Sequence, residues 1–137
     1  MAAIKPEDCS VFIQIWVDFN EVTKGSGTKG VYLVDNRRSS GSEPEAAATL
    51  TTSCALNSAV CWEVLPIDPA MTGTELEIRE LGSSKAFGSN GQPEPVDGSS
   101  NQIYTGKVER PGDFTYKLGL NLNHQSNLFE PALNVED

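Results

Sequence analysis

Five apolar side chains on one parity constrain this chain more than any other feature: Phe114, Tyr116, Leu118, Leu120 and Leu122, separated by Thr115, Lys117, Gly119 and Asn121. A strand sends alternate residues to opposite faces, so this run buries one whole face only if it is extended. The polar stretch from Asn123 to Asn127 then reverses the chain. Apolar residues return in Leu128-Phe129-Glu130-Pro131-Ala132-Leu133-Asn134-Val135. The pattern predicts a terminal β-hairpin.

The same period of two appears from Val11 to Phe19. Val11, Ile13, Ile15, Val17 and Phe19 make an inner face, and Phe12, Gln14, Trp16 and Asp18 an outer one. Further strands are expected over Val31–Asp35, Thr49–Cys54, Ala59–Ile67, Thr74–Leu81 and Ile103–Glu109. Pro66 and Pro69 end the Ala59 strand, because proline cannot donate to a ladder. Trp62 shares the parity of Val60 and Val64 and is assigned to the core. Residues 82–102 are rich in Ser, Gly, Asn and Pro and offer little to bury, which predicts a flexible polar loop. No stretch has a convincing helical period; the alanine-rich segment from Glu43 to Leu50 is short and carries Pro44. About seven or eight short strands without crossover helices predict an all-β fold, an antiparallel β-sandwich, with a closed β-barrel as the alternative. A length of 137 residues fits a single domain over residues 1–137. Such a domain buries roughly two-thirds of the unfolded surface.

The formal net charge of -9 argues against a nucleic-acid partner and against attachment to anionic membranes, since both need clustered Lys and Arg. No apolar run approaches the roughly 18 residues of a membrane span. The amino terminus lacks a basic start followed by an unbroken apolar core, so a cytoplasmic location is expected, with export lacking a cleaved signal left open. The three cysteines, Cys9, Cys54 and Cys61, are expected to be reduced. A two-residue turn at Asn57-Ser58 would set Cys54 opposite Cys61 across a hairpin, which leaves that one pairing open.

Enzyme chemistry finds little to stand on. His124 is the only histidine and falls in the expected hairpin turn. There is no nucleophile elbow, and the glycines from Lys24 to Gly30 lack phosphate-loop spacing. Glu75 and Glu77 would share a strand face, as any solvated face can. Asp35, Asp68, Asp97 and Asp113 lie at strand ends or in loops without forming a dense acidic motif, and turn chemistry accounts for them. No cofactor, metal or catalytic residue is assigned.

Three islands stand in order: Val31-Tyr-Leu-Val-Asp35, Cys61-Trp-Glu-Val-Leu-Pro-Ile-Asp-Pro69, and the end from Thr105-Gly-Lys-Val through Phe114-Thr-Tyr-Lys-Leu to Phe129-Glu-Pro-Ala-Leu-Asn-Val135. In this order they resemble the bacterial PixA/AidA inclusion-body protein family. The resemblance implies a β-sandwich without established catalytic residues. It also implies a setting under quorum-sensing control and linked to host interaction. Phe129-Glu130-Pro131 stands where the family more often has Trp-Asp-Pro. Two methionines set this chain apart from the methionine-rich members that form crystalline inclusions.

The expectation is a non-enzymatic, self-associating protein. Phe12, Gln14 and Trp16 would be its contact residues, because the strand already has a complete apolar face without them. A homodimer is the simplest closed assembly. The alternative is a soluble ligand-binding module, lectin-like or host-directed, taking a glycan or another small ligand.

Overall fold

The computed structural model describes residues 4–18, 31–36, 50–67, 76–82, 84–122 and 125–137. Phe19, the glycine-rich segment 24–30, the alanine-rich segment 43–49, Asp68, Glu75 and His124 lie outside the described residues. Eleven strands follow in order: β1 Val11–Val17, β2 Val31–Asp35, β3 Thr51–Ala55, β4 Ala59–Pro66, β5 Leu76–Gly82, β6 Glu94–Pro95, β7 Ile103–Lys107, β8 Gly112–Thr115, β9 Lys117–Leu122, β10 Gln125–Phe129 and β11 Ala132–Glu136. Short 3-10 turns lie at Pro6–Asp8 and Lys85–Phe87.

The strands form a sandwich of a five-stranded sheet, β2-β1-β4-β7-β6, and two three-stranded sheets, β10-β9-β5 and β3-β11-β8. One apolar core gathers side chains from all three sheets. Each sheet keeps two ends among the described residues, so these strands do not close into a barrel. The expected all-β sandwich is what the structure shows.

β1 shows why the alternating sequence takes this form. Val11, Ile13, Ile15 and Val17 are buried while Phe12 and Gln14 are exposed, and the β-branched inner row suits a pleated surface packed on one side. β1 pairs antiparallel with β2 and parallel with β4. The β1–β2 end is closed by Asn36, whose side chain accepts from Phe12 N at 3.0 Å and donates to Ser10 O at 3.1 Å.

Two pairs, β1 with β4 and β3 with β11, run parallel within an otherwise antiparallel scheme. Apolar parity is the same for either direction, so the sequence pattern does not distinguish them. The Asn57-Ser58 turn is present: Asn57 has φ 70 and Ser58 N donates to Ala55 O at 3.2 Å. It joins two sheets instead of closing a hairpin. β3 pairs with β11, and β4 pairs with β1 and β7, so Cys54 and Cys61 do not face each other.

The expected terminal hairpin is formed by β9 and β10, with Leu118 paired to Phe129. The single-parity run before it is not one strand. Tyr116 N donates to Pro131 O at 3.0 Å, and there the chain leaves the β11 sheet as β8 and enters the β5 sheet as β9. This corner, together with the separate strand β11, accounts for much of the rise from seven or eight strands to eleven.

Residues 82–102 do bury something. Ala86 and Phe87 are fully buried, and Phe87 stands edge-on to Trp62 at 5.7 Å and to Tyr116 at 6.1 Å. Trp62 also meets Tyr116 at 5.8 Å and donates its Nε1–H to the Tyr116 hydroxyl at 3.2 Å. The three rings form the centre of the core. Gly91 locks the segment against β7: its N–H donates to Phe87 O, and its carbonyl accepts from Lys107 N, both at 2.9 Å. A Cβ at this glycine would stand 2.1 Å from Lys107 O, so only glycine permits the approach.

Candidate functional site

The register of the five-stranded sheet fixes which side chains share its outer face. From β1 come Phe12, Gln14 and Trp16. Across the antiparallel pair Gln14 faces Val34 and Trp16 faces Tyr32. Across the parallel pair Phe12, Gln14 and Trp16 match Cys61, Glu63 and Leu65. Glu63 in turn faces Ile103, and Cys61 faces Thr105. Ile67 continues the Leu65 parity beyond the strand and is 45% exposed.

One end of this face is covered. The segment from Ile4 to Cys9 lies over it, with Thr105 Oγ1 donating to Ile4 O at 2.6 Å. The thiols of Cys9 and Cys61 are hydrogen-bonded to each other, and Cys9 also donates to Lys5 O at 3.7 Å. Burial, then the neighbouring Cys9 and Glu63, pushes the Cys61 thiol up to about 12. Cys9 is raised as well, chiefly by burial. Cys9, Cys54 and Cys61 are all buried and form no disulfide with one another, and the thiol beside Cys61 belongs to Cys9.

Beyond this cover the face is partly exposed and mixes apolar residues with Gln14 and Glu63. Phe12 is 40% exposed, Gln14 is exposed, and Trp16, Tyr32, Val34, Leu65 and Ile103 are half-buried. Trp16 Nε1 donates to Gln14 Oε1 at 3.3 Å, which satisfies the indole on its own strand and leaves its ring for contact. Phe12, Gln14, Val34, Asp35 and Asn36 border a hollow of about 210 Å3 between β1 and β2.

The three residues expected from sequence are therefore neighbours on one face. Tyr32, Val34, Leu65, Ile67 and Ile103 join them and were not assigned from sequence. Alternation places each on one side of its own strand, but only register places them together.

Of the carboxylate pair Glu75 and Glu77, Glu75 lies outside the described residues. Glu77 accepts from Asn121 Nδ2 at 3.1 Å across the β5–β9 pair, the work of a cross-strand contact. Asp113 accepts a hydrogen bond from Asn134 on the neighbouring strand. Among the described residues, no three or more His, Cys, Asp or Glu side chains cluster to hold a metal ion. No helix of the described residues is long and apolar enough to cross a membrane. What the outer face offers chemically is apolar area with a few polar groups, suited to docking a surface.

The class this defines is an all-β sandwich. The chain belongs to the family described as Domain of unknown function (DUF8788), whose model matches residues 9–128. No curated protein matches it. Among solved structures the fold is similar to that of the inclusion body protein PixA from Burkholderia cenocepacia J2315. The TM-score is 0.63 at 13% sequence identity, covering 96% of this chain and 99% of that one. The resemblance to PixA read from the sequence islands is thus present in the fold over nearly the whole length of both chains.

Proposed function

We propose that this protein is a non-enzymatic, self-associating protein of the PixA type, in which copies meet through the outer face of the five-stranded sheet. The observation that carries the reading is the row of Phe12, Trp16, Tyr32, Leu65 and Ile67 on one sheet face, broken by Gln14 and Glu63, with Phe12 and Ile67 exposed and the others half-buried. Burying the apolar part of this face between copies removes it from water. A second copy is the simplest occupant, because a two-fold axis sets the same face against itself. The hollow beside Phe12 and Gln14 gives that contact relief into which a partner side chain can seat. In this reading the chain is one domain, resides in the cytoplasm, and shares the quorum-sensing-linked, host-directed setting of the family it resembles.

Trp16→Glu tests the proposal. Placing a carboxylate in the middle of the contact weakens association by at least about tenfold, or about 1.4 kcal/mol. Sedimentation velocity reads the change, and circular dichroism and the urea midpoint check that the fold is kept. An assembly as tight as wild type in a folded Trp16→Glu protein contradicts the proposal.

A further inference from the structure

The second feature of note shares no residue with the sheet face. An open surface hollow of about 800 Å3 is bordered by Ser84, Lys85, Gly88, Ser89, Arg110 and Phe114. That volume falls within the roughly 300–1,000 Å3 of small-molecule sites and far exceeds the need of an inorganic ion.

Its frame is held by backbone bonds. The Ala86 carbonyl accepts from Glu109 N at 2.7 Å and from Arg110 N at 3.2 Å, which fixes the exit of β7 against the Lys85–Phe87 turn. Ser84 Oγ accepts from Ala86 N at 3.2 Å. Gln92 Nε2 donates to Ser84 O at 3.0 Å and to Gly88 O at 2.9 Å, stapling the start of the turn to its end. Phe87, in the same turn, is fully buried. Gly88 has φ 60, and a Cβ there would stand 2.7 Å from Glu109 Oε1.

Two cationic residues border the hollow. Lys85 and Arg110 are both exposed, and neither takes part in an ion pair among the described residues. Glu109 is the carboxylate beside Gly88, and the lining itself carries the two cations in a chain of net charge -9. Phe114, half-buried and packed against the core, borders the same hollow. An arginine fork pairs with a planar carboxylate through two parallel hydrogen bonds, while an aromatic ring offers its face to an apolar body.

We infer that this hollow is a binding site for a small aromatic carboxylate. Arg110 and Lys85 hold its anionic end, and Phe114 holds its ring. Preorganisation by the Ala86, Ser84 and Gln92 bonds lowers the ordering cost of binding.

The test uses naphthoate as the probe on the intact chain, followed by amide-resolved NMR, with neutral naphthyl methanol and inorganic phosphate as comparisons. The expected result is saturable shifts at Lys85, Gly88, Ser89, Arg110 and Phe114. Binding should weaken about tenfold in Arg110→Gln and in Lys85→Gln, and about tenfold for the neutral analogue. Phe114→Leu separates ring contact from charge and weakens naphthoate while leaving phosphate binding unchanged. Trp16→Glu, altered only on the sheet face, retains full binding. No saturable shift at these amides overturns the inference. So does equal affinity for the neutral analogue, or binding unaffected by both cation substitutions.

Discussion

Phe87→Ala asks whether residues 82–102 are integral to the core. The ring is fully buried and stands edge-on to Trp62 at 5.7 Å and Tyr116 at 6.1 Å. Removing a buried phenylalanine ring costs about 3–5 kcal/mol, and the loss of two aromatic pairs at about 0.5–1.5 kcal/mol each places this site toward the upper part of that range. The ring fills the space between two large rigid neighbours, which cannot collapse readily onto the vacancy. A domain of this kind has about 5–15 kcal/mol of total stability, so the loss consumes a large share of it. With a urea slope of about 2 kcal/mol per molar, a loss near 4 kcal/mol lowers the unfolding midpoint by about 2 M. Equilibrium urea unfolding followed by far-ultraviolet circular dichroism measures this directly. Leu128→Ala, at a side chain 52% exposed, serves as the comparison and should change stability by less than about 0.5 kcal/mol. A Phe87→Ala midpoint within about 0.5 M of wild type, with the slope unchanged, refutes the reasoning. It would mean that the segment lies against the core without contributing to it.

Two further perturbations address the core and its titration. Tyr116→Phe removes the acceptor of the buried Trp62 Nε1–H, which now sits 3.2 Å from the Tyr116 hydroxyl. An unsatisfied buried donor costs about 1–3 kcal/mol, to be read from the urea midpoint, and no loss there would show that the indole finds another partner. Alkaline pH should destabilise the fold. Burial raises Cys9, Cys61, Tyr104 and Tyr116 in the native state, Cys61 to about 12. Above about pH 8.5 the unfolded chain begins to release thiol protons that the native chain keeps. Fewer protons are then bound when unfolded, so stability falls as pH rises, by up to about 1.4 kcal/mol per pH unit for each such group. Urea unfolding under reducing conditions from about pH 7 to about pH 10 checks this, with Cys61→Ala flattening the slope. A midpoint that holds or rises over that interval contradicts it.

Much of the fold is legible in single strands and much less in how they meet. β2 occupies the expected Val31–Asp35, and β1 shows the expected inner and outer rows, because one buried face imposes period two on the side chains. Trp62 reads as core because it shares parity with Val60 and Val64, and it is fully buried. The corner at Tyr116 is hidden for the same reason: β8 and β9 keep one parity, so nothing in the pattern records that the backbone changes sheets. The parallel β1–β4 pair is equally silent, since adjacent hairpins and distant pairings give identical alternation. Phe87 is a single aromatic among Ser, Gly, Asn and Pro, too dilute to signal burial by composition, yet one ring is enough to anchor the segment. On the outer sheet face, Phe12, Gln14 and Trp16 follow from β1 alone. Tyr32, Leu65 and Ile103 join them only through register, which sequence alternation does not specify.

Light scattering coupled to size exclusion, on untagged protein over a wide concentration range, tests self-association most directly. The expected result is a mass above the 14.7 kDa of one chain, rising with concentration to a defined assembly. Added salt should strengthen it, because screening relieves repulsion between copies of net charge -9. A single 14.7 kDa species at every concentration and ionic strength would contradict the account.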